Sequence, residues 1–284
     1  MYNNQKTIAI LLAAYNAENF LEEQLDSILK QSNQDWTLYI RNDDSTDKTQ
    51  SIIDKYCNSY PKKIIQIDKG EGNLGCRGNF FRLLEVVNSQ YYAFSDADDI
   101  WLNDKIEISL QAIQEAEQQH PNMPIMAFGD TIVCDSKMNI IEPSYWKSIN
   151  INPEKFTSYN YMAVCCTAGG SCSIFNQKVK DALFPLANNN LIYDYWIALV
   201  VSKIGKFKVI HRPLKFYRQH ENQVCGVSYG KNNRLYHKLK NINNLTKQYR
   251  HEAELLTNIG YGPHIKFYWY KILTILKIRF SRYK

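Results

Sequence analysis

At 284 residues, with 45% hydrophobic and 22% charged side chains, the chain has the composition of an ordinary globular protein able to bury a sizeable core. No apolar run approaches the roughly 18 residues that suggest a membrane-crossing helix, and the N-terminus MYNNQK, barely charged, lacks the pattern of a signal peptide. The net charge of +6 is unevenly held: residues 231–284 carry twelve Lys/Arg against two Glu, so residues 1–230, with 22 basic and 26 acidic side chains, stand at −4. Seven cysteines, an odd number without a CxxC pair, argue against a disulfide framework or zinc site and for a reducing, cytoplasmic setting.

Thr7–Ala14 is a continuous apolar run of strand length, as expected for a sheet covered on both faces. Asn16 is placed to cap the next helix, whose Leu21, Leu25, Ile28 and Leu29 form one buried stripe. Trp36–Arg41 reads as a second strand, followed by the polar turn NDDSTD and a helix through Ile52, Ile53 and Tyr56. Lys63–Ile67 is a third short strand, Gly70–Gly78 a Gly-rich loop, and Asn79–Val87 a helix. Tyr91–Phe94 then forms a fourth strand, ending in the acidic run SDADD.

Four strand–helix alternations in about a hundred residues imply a mostly parallel sheet with helices on both faces. Ligands of such sheets sit beyond the carboxyl ends of the strands. Tyr15-Asn16, Asp43-Asp44 and Asp96–Asp99 all fall there. Clustered carboxylates repel one another and resist desolvation unless a cation sits among them, and oxygen donors favour Mg²⁺ or Mn²⁺ over zinc.

The second half changes character. Ile125–Val133 and Ala163–Phe175 are expected as strands, the latter carrying TAGGS, where glycines let a ligand approach the backbone. Tyr193–Ile204 is a helix with Asp194 in its first turn and Trp196 close by. Lys206–Arg212 and Leu214–Arg218 are further strands, followed by the turn QHENQ, and a soft boundary lies near Gly230.

With these motifs in hand, the chain resembles a family 2 glycosyltransferase of the GT-A nucleotide-diphospho-sugar transferase fold, in the bacterial branch of rhamnosyltransferase-like enzymes. The resemblance covers roughly residues 6–226 and rests on an ordered set: LLAAYNAENFLEEQLDSILKQ, RNDDSTDKT, NLGCRGNF, FSDADDIWLNDKI, TAGGSCSIFN, YDYWIALV and FYRQHENQ. It implies an α/β GT-A domain over 1–230 and a basic helical C-terminal extension over 231–284. Ala13, Tyr15 and Glu18 would border the base, and Asp43 would accept from its ring N–H. This chain reads Asn42-Asp43-Asp44 where the family usually has Asp-Asp-Gly. Gly75, Arg77 and Asn79 would line the donor pocket.

Within the DxD pair, the resemblance assigns Asp96 to the ribose side and Asp98 to a divalent cation, Mg²⁺ or Mn²⁺, on the diphosphate. His220 would approach that cation or the diphosphate, and Arg218 would offset phosphate charge. Asp194 would be the general base that removes the acceptor hydroxyl's proton. Gly169, Gly170 and Trp196 would face the acceptor. Where relatives often have His, this chain has Tyr193.

The expected activity is inverting, metal-dependent sugar transfer from a dTDP- or UDP-linked donor, L-rhamnose foremost, to a lipid-linked oligosaccharide. Without an Arg-Trp pair anywhere, the QxxRW element of processive relatives is absent. A sugar-nucleotide pyrophosphorylase would need a Gly-rich basic loop after the first strand, where this chain has AAYNAEN, and a dead binding module would be expected to lose Asp194 or the DxD pair. The tail's aromatic run FYWY suits a membrane interface, although its lysines do not read as a clean amphipathic pattern. No nucleic-acid motif accompanies its charge, so nucleic acid is not an expected partner.

Overall fold

The computed structural model describes residues 2–3, 7–67, 72–184, 190–220 and 242–280. Seven segments alternate as expected: β2 (Ile8–Ala14), α1 (Leu21–Leu29), β3 (Trp36–Asn42), α2 (Thr49–Ser59), β4 (Ile64–Gln66), α3 (Gly75–Val86) and β6 (Tyr91–Asp96). Two-residue strands β1 (Tyr2–Asn3) and β5 (Val87–Asn88) pair separately in parallel. Then follow β7 (Ile100–Trp101), α4 (Lys105–Gln119), β8 (Ile125–Cys134), β9 (Ile140–Glu142), α5 (Tyr145–Ser148) and α6 (Tyr159–Met162). The chain continues through β10 (Ser173–Asn176), α7 (Gln177–Leu183), α8 (Tyr193–Ile204), β11 (Lys206–Arg218), α9 (Ile242–Asn258) and α10 (His264–Phe280).

The main sheet runs β4-β3-β2-β6-β10-β8-β11-β7, with β9 alongside β8. Its first four strands are parallel, β10 is antiparallel to both neighbours, and β8 and β11 are again parallel. The pleat divides each buried strand between two cores. Ile8, Ile10 and Leu12 join Leu21, Leu25 and Ile28 of α1 on one face, whereas Ala9 and Leu11 join Phe80 and Leu84 of α3 on the other. Leu11 is fully buried, so truncating it to Ala is worth about 2–5 kcal/mol.

Four expectations are corrected. Asn16 does not cap α1: it has φ +46, its Oδ1 accepts from the Thr46 N–H at 2.9 Å, and the helix starts only at Leu21. The helix expected from Asn79 begins four residues earlier, at Gly75. Ala163–Phe175 is no continuous strand; only Ser173–Asn176 pairs. The reason is a close approach, for a Cβ on Gly170 would lie 2.6 Å from the Tyr193 ring and 2.8 Å from Asp194 Cβ. That backbone packs against α8 instead of joining a ladder.

β11 is one strand where two were expected, with register shifts on either side of Pro213. Proline cannot donate to a ladder, and a bulge accommodates it. Gly70, residues 221–223 of the QHENQ turn, the boundary near Gly230, and 231–241 lie outside the described residues.

Candidate active site

The parallel register sets the site at one sheet edge. Ala13, at the end of β2, pairs with Arg41 of β3 on one side and Asp96 of β6 on the other. The three polar clusters of the sequence therefore converge at the carboxyl ends of these strands.

On the β3 side, loops 15–18 and 43–48 are stitched together. The Asn16 N–H donates to Ser45 Oγ at 2.9 Å, the Glu18 N–H to Asp47 at 3.0 Å, and the Lys48 N–H to Glu18 Oε2 at 3.0 Å. Tyr15 projects beside them, 55% exposed. Asp44 takes φ +64, the left-handed conformation that suits a glycine in the family's pattern. Asn42 closes the turn by accepting from the Ser45 N–H at 3.1 Å.

Asp43 is buried, paired with Arg41, and accepts from the Leu74 N–H at 2.8 Å. Arg41, itself fully buried, also donates to Asn79 Oδ1 at 3.3 Å and to the Gly72 carbonyl at 2.8 Å. Asn79 is thus committed to this clamp and not to open space. Arg77 donates to the Leu191 carbonyl at 2.9 Å and lies over the Phe81 ring, while Gly75 opens α3 at φ +70.

The DxD segment is ordered from behind. Asp99 is fully buried and paired with Lys215, whose ammonium also donates to Ser171 Oγ and lies 3.6 Å from Asp96 Oδ2. Burial pushes the Asp99 carboxyl up, and the Lys215 ammonium pulls it back. Burial alone would lower Lys215, but Asp99 and Asp96 outweigh it and hold the lysine charged. Beside them Lys105 is buried, donates to the Ser171 carbonyl, and sits 3.6 Å from the Trp101 ring centroid.

Asp98 and His220 face one another, with Nε2 2.9 Å from Oδ2 and the imidazole against Phe20 at 4.6 Å between centroids. Burial, and then the Asp96 charge, raises the Asp98 carboxyl above its ordinary value. Two donors at one point suit a hard divalent cation that takes its remaining ligands from phosphates and water, as Mg²⁺ commonly does. Among the described residues no three His, Cys, Asp or Glu form a group able to hold a metal ion. Arg218 is not aimed with them; it is buried against Phe20 and paired with Glu23 of α1.

Asp194 enters from α8. Its Oδ2 accepts from the Gly170 N–H at 3.2 Å, and its Oδ1 from the Tyr195 N–H at 2.7 Å. Burial raises the carboxyl, the Gly170 N–H opposes that, and the Asp96 charge raises it further. Tyr193 joins the two halves of the site, donating to Asp96 Oδ1 at 3.3 Å while stacking on Phe80 at 4.0 Å. Gly170 therefore touches Asp194 directly, whereas Gly169 has open space where a side chain would be. Trp196 packs partly buried against the core with its Nε1 unpartnered.

Four residues of this site were not singled out from the sequence: Arg41, Lys105, Ser171 and Lys215. A lysine set among Leu214, Phe216 and Tyr217 was the available signal for Lys215, since alternation in a buried strand sends it inward.

Comparison with known proteins identifies the family and the fold. The family profile described as Glycosyl transferase family 2 matches residues 9–184. A dTDP-rhamnosyl transferase, RfbG of Shigella flexneri, is 30% identical over 76% of this chain and 74% of its own length. A UDP-Glc:alpha-D-GlcNAc-diphosphoundecaprenol beta-1,3-glucosyltransferase, WfaP of Escherichia coli, is 26% identical over 96% of both chains. Among solved structures, S. aureus TarS 1-349 in complex with UDP-GlcNAc superposes with a TM-score of 0.58 at 16% identity, covering 97% of this chain and 73% of that one. Mannosyltransferase PcManGT of Pyrobaculum calidifontis, in complex with GDP-Man and Mn²⁺, gives 0.54 at 15% identity, covering 97% and 70%. The chain belongs to glycosyl transferase family 2, has the GT-A fold, and is a glycosyltransferase.

Proposed function

We propose that the enzyme is an inverting, non-processive, metal-dependent transferase that moves L-rhamnose from a dTDP-linked donor to a hydroxyl of a lipid-linked cell-surface oligosaccharide. The observation that carries the chemistry is the Asp194 carboxylate, fixed by the Gly170 N–H and tied through Tyr193 to the DxD edge. Asp194 takes the acceptor proton as the hydroxyl oxygen bonds to the anomeric carbon. The bond from that carbon to the diphosphate breaks on the opposite side, and its electron pair leaves with the nucleotide. A divalent cation held by Asp98 and His220 would supply neutralisation of the charge gathering on the diphosphate.

Ala13, Tyr15, Glu18 and Asp43 form the base side of the donor site, with Asp96 at the ribose, Gly75 and Arg77 along its wall, and Asn79 and Arg218 acting through the pairs that hold them. Gly169, Gly170 and Trp196 lie on the acceptor side. The donor follows the Shigella relative's name; a UDP-hexose is the second reading, favoured by the glucosyltransferase that matches over nearly the whole chain. The acceptor places the enzyme at the inner face of the cell membrane, with its basic C-terminal segment against the surface.

Replacing Asp194 with Asn tests the mechanism: transfer should fall about 10²–10⁴-fold with folding and donor binding kept. Near wild-type transfer by a folded variant would remove Asp194 from the role. A panel of dTDP- and UDP-sugars, scored by thermal shift with Mg²⁺ and Mn²⁺, separates the two donor readings.

A further inference from the structure

The last helix is turned inside out relative to its charge. On an α-helix, Ile265, Tyr268, Trp269, Ile272, Leu276 and Phe280 fall within an arc of about 120°. Their exposures are 76%, 38%, 59%, 53%, 45% and 79%. The lysines of the same helix lie off this arc, and each is held by a carbonyl. Lys266 donates to Tyr261 O at 2.9 Å, Lys271 to Val164 O at 2.8 Å, and Lys277 to Lys155 O at 2.8 Å. Lys271 is also paired with Glu252 of α9. Phe267 and Thr274 form the buried face. An exposed apolar stripe of this length is unusual for a surface that meets only water.

We infer that this face of α10 lies in the interfacial layer of an anionic phospholipid bilayer, with the helix axis in the membrane plane. The inference rests on the lipid-linked acceptor proposed above. Three observations favour lipid over another protein surface. The stripe runs about 24 Å, at 1.5 Å per residue, and no described helix is long and apolar enough to cross a membrane. Charge is complementary: Arg279 ends the stripe, and exposed Lys247 and Arg250 of the neighbouring α9 belong to the same segment, which carries +10. A second copy docked on the same face would instead bring two such basic segments together. Arg279 falls within the arc at its C-terminal end, where a long side chain can place its charge among headgroups. Tyr268 and Trp269 are the residue types that favour this layer.

The test uses the whole chain with vesicles of phosphatidylcholine, alone and mixed with phosphatidylglycerol. Cosedimentation should occur with the mixed vesicles and weaken in high salt, and brominated lipid should quench tryptophan emission. The pair Ile272→Ser with Leu276→Ser should lower vesicle affinity tenfold or more, and Trp269→Ser should remove most of the quenching. Both variants should keep the wild-type melting temperature and nucleotide-sugar thermal shift. Unchanged vesicle binding in the folded variants overturns the inference, as does a wild-type dimer in sedimentation that the same substitutions dissociate. Transfer to a soluble acceptor without vesicle binding defeats the membrane face alone. Vesicle binding without transfer to any lipid-linked acceptor defeats the proposed function alone.

Discussion

Replacing Lys215 with Met removes one ammonium from behind the DxD segment. Lys215 is 5% exposed and its partner Asp99 0%, so the substitution strands a carboxylate in the interior. Breaking such a pair by removing one partner costs about 3–5 kcal/mol, a large share of the roughly 5–15 kcal/mol that holds a domain folded. Asp99 recovers part of this by taking up a proton, because burial already drives its carboxyl up to about 7 with the lysine present. In the variant, native Asp99 keeps that proton to still higher pH, while unfolded Asp99 has lost it above about pH 4. The native state then binds more protons, so the variant's stability falls as pH rises, and its deficit should be larger at pH 8 than at pH 5. Guanidinium unfolding at both pH values measures this, with the double variant Lys215→Met, Asp99→Leu as the control. The double variant should regain most of the loss, since no charge is left unpaired. A single variant within about 1 kcal/mol of wild type, or a double variant no better than the single, would refute the argument.

Other outcomes follow from the same geometry. Gly170→Ala should cost about 1–3 kcal/mol in stability and lower kcat more than it raises KM, because the new methyl meets a Tyr193 ring already stacked on Phe80; unfolding curves and steady-state kinetics check it. The proposed base role requires an ionised Asp194, and burial raises its carboxyl, so on that proposal kcat should fall with decreasing pH above the ordinary carboxylate range, which a pH–rate profile reads directly. His220→Gln should weaken activating Mn²⁺ or Mg²⁺ by about 10–100-fold at unchanged melting temperature, measured by metal titration of activity. Burial pushes Lys105 down to about 7, so native Lys105 is neutral where the unfolded side chain is still charged; stability should rise with pH between 7 and 10, and Lys105→Met should flatten that slope.

Much of this was legible because it repeats. Continuous apolar runs gave the parallel strands, and Asp96, Asp98, Asp194 and His220 stand in a motif order that also brings them together in space. What escaped were charges whose partners are remote in the chain. Arg41 reads as the polar end of a strand until Asn79 and Gly72 are seen around it. Lys105 and Ser171 are 66 residues apart. TAGGS flanked by apolar residues reads as strand, since nothing local reveals that its backbone is taken up by α8. The tail lysines defied helical-wheel reading for the same reason, their carbonyl acceptors lying more than a hundred residues away for Lys271 and Lys277.

The Pro213 bulge sets the phase of everything after it. Upstream, β11 pairs Ile210 with Gly129; downstream, Lys215 pairs with Thr131 and, across the other edge, with Trp101. Leu214 and Lys215 therefore point to opposite faces, one into the apolar core and one to Asp99. Losing a single residue in this short stretch would exchange their places, burying a cation in oil and presenting a leucine to three carboxylates. Length here is as constrained as sequence, so natural insertions and deletions should cluster elsewhere, and loop grafting between relatives should keep the 210–215 spacing intact.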